Sequence, residues 1–419
     1  MHLHEQSMAA TRPSDLKLNN RMQILELFKS GAVYSVADLA AEIGISRQTV
    51  MKAIQFFLEK GIIVSDGKAN SGSMGGKRAE LFTLSSQKYL FSVLICPNAL
   101  YISLFNYRCE TLDEYIREDV VSRDVNAIMD DAIAACDTLL RKHRLSRKDV
   151  RGVCLATSGI VDRNTNRLRF NSLFPEWGKD VPITEKLSAY FGRDVQVLAE
   201  NVSRVCGSAY AHASRSEHCR LAALFSRWGG LGACLIEAGH ILHGRDTLIG
   251  EIGHMIVNPQ DEEVCACGSR GCFERQISVE RLRTLARRWA GETPDSDLAK
   301  ADLDAMTIQD MFRASEAGDS LARRLVRYAA GTFSVALRNL SLVFNPDLVV
   351  IQGDYACADD YFRACLYEQF RDFHYYEDRG GDDNPFALQM DTRPIQELTT
   401  LGAYTLLIDR LFSDETTYS

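Results

Sequence analysis

The chain has 419 residues, 46% hydrophobic and 25% charged, with a formal net charge of −8. That length suits two or three domains rather than one, and there is no run of eighteen apolar residues to cross a membrane. The acidic balance excludes a surface that coats nucleic acid throughout, but the charge is uneven: residues 11–80 hold ten Lys/Arg and seven Asp/Glu, +3 against −11 for the rest.

Residues 1–14 read as a flexible N-terminus; Met1 to Asn20 is polar, and no secretory signal is visible. Twelve cysteines without export suit the reducing cytoplasm, as thiols or metal ligands.

A domain over 15–85 follows. Residues 18–28 form a helix with Ile24, Leu25, Leu27 and Phe28 near one face. Ser35 caps a second helix containing Val36, Leu39, Ala40 and Ile43, and Gly44 stops it. Ser46 caps a third, which buries Val50, Ile54, Phe57 and Leu58 and turns Arg47, Gln48, Met51, Lys52 and Gln55 outward. Two helices joined by a tight glycine turn make a helix-turn-helix, whose second helix reads the major groove. Arg47 suits guanine and Gln48 adenine. The contact set expected on DNA is Ser46, Arg47, Gln48, Thr49 and Lys52, with Lys77 and Arg78 from a basic wing. That wing is a hairpin of Ile62–Val64 and Glu80–Leu84, with Asp66-Gly67 and residues 71–78 in a flexible loop. The alternative is a small helical domain used only for protein contacts.

From Leu90 the pattern becomes α/β. Strands 90–95 and 100–105 precede a helix from Val125 to Arg144; strands 150–156 and 195–198 follow, then a helix from Val202. The same alternation recurs after residue 220.

The densest chemistry lies in Gly250-Glu251-Ile252-Gly253-His254 and the following Cys265, Cys267 and Cys272, spaced H-x10-C-x-C-x4-C. One imidazole and three thiols within nineteen residues are a complete tetrahedral set for structural Zn²⁺. Gly268 and Gly271 permit the turns that close spacing needs. The alternative, ordinary buried cysteines, sits poorly with so polar a segment.

This segment, with Gly271-Cys272-Phe273-Glu274, resembles the central motif of the ROK family (repressors, open reading frames and sugar kinases). The head is similar to that of ROK repressors, including Leu39-Ala40 before the turn and Ser46-Arg47-Gln48-Thr49-Val50 after it. The resemblance implies a winged helix-turn-helix followed by a two-lobed actin-like (sugar kinase/RNase H-like) body over 88–413. The small lobe would comprise 88–198 plus a C-terminal helix 395–413, the large lobe 199–394, with a frayed tail at 414–419. It also implies sugar contacts from Asn171, Asn201, Glu251, His254 and Glu274, with His254 doubling as a zinc ligand. For Glu251 and Glu274 the plainer role is support of the metal ligands; for Asn171 it is a turn residue.

The kinase parts of the family pattern are missing. Where family kinases carry Asp-x-Gly-Gly-Thr-Lys, this chain has Ile95-Cys96-Pro97-Asn98-Ala99-Leu100. Where the catalytic base follows Glu-Asn, Val202 follows Glu200-Asn201, and valine accepts no proton. A third glycine loop reads Gln352-Gly353-Asp354. Trp228-Gly229-Gly230-Leu231-Gly232 keeps glycines, which suits a tight turn equally well.

The expectation is therefore a sugar-responsive DNA-binding regulator, no enzyme and no membrane protein, acting as a homodimer or homotetramer on double-stranded operator DNA. Its effector would be a sugar or sugar phosphate. The rivals are an ATP-dependent sugar kinase with an atypical phosphate loop and a regulator answering a protein partner. The acidic run Asp378–Asn384 reads as a solvated loop.

Overall fold

A computed structural model describes residues 13–29, 31–68, 78–118, 124–211, 219–370 and 385–413. The expected flexible segment 1–14 falls largely outside them, and Lys77, the Asp378–Asn384 run and the 414–419 tail fall wholly outside.

The head comprises α1 (Pro13–Phe28), β1 (Tyr34–Ser35), α2 (Val36–Ile43), α3 (Arg47–Glu59), β2 (Ile63–Lys68) and β3 (Glu80–Leu84), with sheet order β1-β3-β2. Local chemistry sets its boundaries. The Ser35 hydroxyl accepts from the Asp38 amide at 3.2 Å, and the Asp38 carboxylate accepts from the Ser35 amide at 2.9 Å. This reciprocal cap satisfies two otherwise orphaned donors. Gly44 ends α2 at φ +75°, where a side chain would be strained. Ser46 caps α3 by accepting from the Thr49 amide at 3.2 Å.

Three readings of the head need correction. The first helix starts at Pro13, five residues before the expected position. Leu58 is 40% exposed and Ala53 is buried instead, because the face of Val50, Ile54 and Phe57 passes through 53 rather than 58. Asp66 and Gly67 lie within β2; the register slips between Ser65 and Lys68, and Gly67 takes φ +90° there.

The body begins with β4 (Tyr89–Ile95), β5 (Leu100–Asn106), β6 (Thr111–Arg117), α4 (Val125–Lys142) and β7 (Val150–Thr157). The small hairpin β8 (Ile160–Asp162) and β9 (Arg167–Phe170), α5 (Glu185–Phe191) and β10 (Gln196–Asn201) complete the first lobe. Then come α6 (Val202–Ser208), β11 (Arg220–Arg227), β12 (Gly230–Glu237), β13 (His240–Ile241), α7 (Phe273–Gln276), α8 (Val279–Ala290) and α9 (Asp297–Lys300). The chain finishes with α10 (Ile308–Glu316), α11 (Ser320–Val343), β14 (Leu348–Gly353), α12 (Asp360–Glu368), β15 (Ala387–Asp391) and α13 (Ile395–Phe412).

Two five-stranded sheets follow one plan. Their orders are β10-β7-β4-β5-β6 and β13-β12-β11-β14-β15. In each, an antiparallel three-stranded meander is extended by two parallel strands. Strand β10 carries the first sheet through Asn201, three residues past the 198/199 division read from sequence.

Helix α13 returns from the second lobe to lie on β4 and β7 of the first, and crosses α6. The crossing is backbone to backbone: a Cβ on Gly402 would stand 1.7 Å from the Val205 carbonyl oxygen. The far end of α13 meets the head. Asp409 pairs with Lys29, and Leu411 and Phe412 join the buried apolar cluster that holds Ile24 and Phe57 of the head. One buried apolar cluster runs from Ile24, Phe28 and Phe57 through Ile62 and Leu84 to Leu407 and Leu411. Head and body thus share a core.

The approach to α13 is held by charge. Arg393 donates to both oxygens of buried Asp391, at 3.0 and 2.8 Å, and the Tyr210 hydroxyl donates at 2.7 Å. Burial alone would raise the Asp391 carboxyl, but Arg393, Tyr210 and Gln352 outweigh it and hold it at about 2.

Gly402→Ala should destabilise the chain by about 1–3 kcal/mol in urea unfolding, because the crossing cannot open locally. Gly331→Ala, in α11 where an added Cβ meets nothing within 4 Å, should stabilise by about 0.5–1 kcal/mol. The Asp391 contribution is fully present above its unfolded pKa of about 3.9 and is lost as pH falls towards 2. The wild type should therefore lose stability between those limits by an amount that Asp391→Asn lacks, read from unfolding midpoints at stepped pH.

Candidate functional site

The site lies where the two lobes meet, around the junction of β10 and α6 and the segment 247–274. Asn201 ends β10 and caps α6, accepting from the Ser203 amide at 2.8 Å, while its amide nitrogen donates to the Gly159 carbonyl at 2.7 Å. Gly159 sits at φ +92°, with a would-be Cβ 2.3 Å from the Phe170 oxygen, so the turn after β7 admits no side chain there. Asn171 is fully buried: its oxygen accepts from the Ser158 hydroxyl at 2.9 Å and the Leu173 amide at 3.0 Å, and its nitrogen donates to the Ser158 carbonyl. Both asparagines therefore brace turns beneath the cleft. Val202, one residue past Asn201, is buried and apolar.

Arg204 was not singled out from the sequence, and Glu200 entered only as the neighbour of Asn201; together they organise the junction. Arg204, in α6, donates at 2.7 Å to Glu200, near the end of β10, with side chains only 4% and 6% exposed. Its other arm donates to the Thr247 and Ile249 carbonyls at 3.3 and 3.1 Å and approaches the Glu251 carboxylate at 3.5 Å. Burial raises the Glu251 carboxyl above its ordinary value, against the pull of Arg204. The i, i+4 Glu–Arg spacing after a strand was the signal in the sequence, but that spacing occurs on many exposed helices.

The four candidate metal ligands converge. The ligand atoms of His254, Cys265, Cys267 and Cys272 all lie within 4.8 Å of one another. Cys265 Sγ is 3.7 Å from His254 Nδ1, and Cys267 Sγ is 3.6 Å from Cys272 Sγ. An ion at the centre of a tetrahedron with metal–sulfur bonds of about 2.3 Å requires sulfur–sulfur edges of about 3.8 Å. The set is thus close to the size that a metal ion requires, and could hold one.

The loop is shaped for this. Gly268 takes φ +89° and donates to the Cys265 carbonyl at 2.8 Å, and the Ser269 carbonyl accepts from the Cys265 amide at 2.8 Å. A Cβ on Gly271 would stand 1.8 Å from the Asn258 oxygen. Burial raises the Cys267 thiol, but hydrogen bonds from Ser269 and the neighbouring cysteines bring it down to about 7.

Glu274 joins the cluster to the cleft. One carboxylate oxygen lies 3.2 Å from Cys265 Sγ and 3.4 Å from His254 Nδ1; the other accepts from the Leu231 amide at 3.3 Å. Glu251, His254 and Glu274 are thus brought together by one segment, two of them beside the metal-ligand set. Asn171 and Asn201 stand behind the cleft with their side chains engaged.

On the head, Arg47, Gln48, Lys52 and Arg78 are exposed. Thr49 is half-buried, and the Ser46 hydroxyl is occupied by the Thr49 amide and hydroxyl.

Comparison with known proteins fits these parts. The ROK family model matches residues 102–383, and a winged helix-turn-helix DNA-binding model matches 18–64. The DNA-binding transcriptional dual regulator NagC of Escherichia coli K12 is 25% identical over 355 residues, covering 81% of this chain and 83% of its own. A glucokinase of Halalkalibacterium halodurans is 28% identical over 242 residues, covering 57% of this chain and 72% of its own. The solved structure of a ROK family transcriptional regulator, a homologue of the E. coli Mlc protein, superposes with a TM-score of 0.77 at 19% identity, covering 95% of this chain and 98% of that one. The fold is accordingly a winged helix-turn-helix on an actin-like body. With more than half of its length matched by the family model, this chain belongs to the ROK family.

Proposed function

We propose that this chain is a DNA-binding transcription regulator, of repressor type, whose body senses a sugar or sugar derivative without phosphorylating it. The observation that carries this reading is the pairing of an exposed α3 face, Arg47, Gln48 and Lys52, with a cleft that keeps carboxylates but holds buried Val202 at its helix start. The similarity to NagC covers 81% of the chain, whereas the glucokinase similarity covers 57%.

In this reading Glu251 and Glu274 accept sugar hydroxyls, and His254 stands beside them; carboxylates with several lone pairs suit polyols. Asn171 and Asn201 set the floor of the cleft through Ser158, Leu173, Gly159 and Ser203. No side chain at 202 can take the proton that phosphoryl transfer to a hydroxyl requires. The decisive experiment is calorimetric titration with sugars alongside a coupled assay for ATP consumption. Binding of a sugar with no ATP turnover supports the reading; sugar-dependent turnover removes it.

The ion we assign to His254, Cys265, Cys267 and Cys272 is structural Zn²⁺, which three thiolates and an imidazole suit and which leaves no open position. It would brace the segment presenting Glu251, His254 and Glu274. Metal analysis of purified chain should find a single Zn²⁺ per chain. Cys267→Ser should lower that content and the unfolding temperature together; unchanged values for both would refute the assignment.

Recognition of DNA would follow from α3 in the major groove of each half-site, read by a homodimer or larger assembly. Against the site that wild type selects from a random DNA pool, Gln48→Ala should cost about 1–3 kcal/mol and relax preference at one base pair. Lys52→Ala should weaken binding to all sequences alike and reduce the salt dependence by about one phosphate contact. Fluorescence anisotropy at several salt concentrations separates the two.

A further inference from the structure

Head and body meet along a groove of about 640 Å³, walled by Gly61, Ile63 and Val64 of the head and by Lys88, Tyr89 and Asp149 of the body. A smaller cavity of about 20 Å³ adjoins it, with room for one water-sized group, and Lys88 lines both. The floor of the smaller cavity is apolar: Ile62, Tyr107, Leu411 and Phe412 belong to the core that head and body share. Its rim is cationic. Lys60 closes α3, Lys88 precedes β4 and Arg151 stands second in β7.

These three side chains make no hydrogen bond and no ion pair among the described residues. A single unpaired lysine on an open surface is ordinary; three cations around one cavity repel each other. Lys88 is half-buried, its Cε 3.4 Å from where a Cβ on Gly61 would stand. Burial first, then Arg151, lowers the Lys88 ammonium below its ordinary value, and Asp149 only partly restores it. Asp149 acts on Lys88 and Arg151 alike, but its carboxylate is committed to the Ser146 amide and hydroxyl, each at 2.8 Å. The C-terminal ends of α3 and α13 add about half a negative charge each. Positive charge remains in excess at the joint, set over an apolar floor that cannot hydrate it.

We propose that this joint binds a free phosphate-class oxyanion that straps the head to the body, with Lys60 of the head and Lys88 and Arg151 of the body as its donors. Such a site is separate from the inter-lobe cleft and needs no sugar. A guanidinium donates to two oxygens at once, and the two ammonium groups serve the others as point charges. A phosphate group carries about −1.5 to −2 at pH 7, enough to cancel the excess. One oxygen fits the small cavity, where the low dielectric strengthens each charge-assisted bond, and the rest face the groove. Because the donors come from both sides, the full set exists only with the head seated, and the anion favours that placement by its differential affinity. A phosphate of the bound DNA is the weaker candidate: α3 has 13 residues, so Lys60 lies roughly 20 Å from the Arg47 end that would enter the groove of the duplex.

The test is calorimetric titration of the full chain with sodium phosphate, against sodium chloride at equal ionic strength. The wild type should bind phosphate saturably, at one site per chain. Arg151→Gln and Lys88→Gln should each weaken that binding about tenfold or more, and Arg151→Lys should retain part of it. Lys142→Gln, which removes an ammonium held by Asp113 at 2.6 Å, should leave it within about twofold. Unfolding midpoints in chloride verify that each variant is folded. Phosphate should also slow hydrogen exchange through residues 60–64 in the wild type and not in Arg151→Gln. No saturable binding by the wild type, or binding that survives both Arg151→Gln and Lys88→Gln, overturns the site. Binding without slower exchange at 60–64 overturns the strap. If free phosphate does not bind but Arg151→Gln lowers the salt dependence of DNA binding by about one phosphate contact, the occupant is a DNA phosphate and the free-anion site is overturned.

Discussion

The cleft depends on one buried cation. Arg204 reaches from α6 back to Glu200 near the end of β10 and to the Thr247 and Ile249 carbonyls and the Glu251 carboxylate across the lobe. A buried pair gains little net energy from its own attraction, because both charges lost their hydration. Breaking it from one side is different, costing about 3–5 kcal/mol, since the remaining charge is then stranded. The energetic asymmetry makes the geometry stiff: the loop that presents Glu251 is fixed to α6 by contacts that cannot be given up singly. The metal-ligand set does the same for the other end of that segment, where Glu274 lies against Cys265 and His254.

Stiffness at the cleft matters because α6 is also where the molecule is joined. It crosses α13 without an intervening side chain at Gly402, and α13 ends against the head through Asp409, Leu411 and Phe412. A sugar that binds one lobe arrangement better than another changes the population of that arrangement by its differential affinity and no more. On the proposed reading, the contiguous packing from Glu251 through Arg204, α6 and α13 to Lys29 would make the head's placement part of the same equilibrium. On the non-catalytic reading proposed above, binding free energy is available for this purpose rather than for turnover.

Features governed by near neighbours could be read from the sequence. The caps at Ser35 and Ser46 and the stop at Gly44 are set within four residues, and the four residues of the candidate metal cluster fall within nineteen. The alternating strands and helices of the body were legible for the same reason. Leu58 was misplaced because helical spacing alone does not say which edge of an apolar face meets the sheet, and Asp66-Gly67 because a turn dipeptide can also sit at a strand irregularity. The asparagines show the limit for sites: the sequence left Asn171 between a sugar contact and a turn residue, and the hydrogen bonds show both Asn171 and Asn201 bracing turns at the cleft. Features made by distant residues were not legible at all. Tyr210 meets Asp391 across 181 positions.

The central claim is that sugar and operator act on one equilibrium. The most direct measurement is the affinity of the full chain for its selected DNA site with and without a saturating concentration of the sugar form it binds most tightly. The account predicts a change of about 5- to 150-fold, matched by an equal change in sugar affinity when operator is present. Identical DNA affinity in both conditions, with sugar binding verified in the same samples, would contradict it.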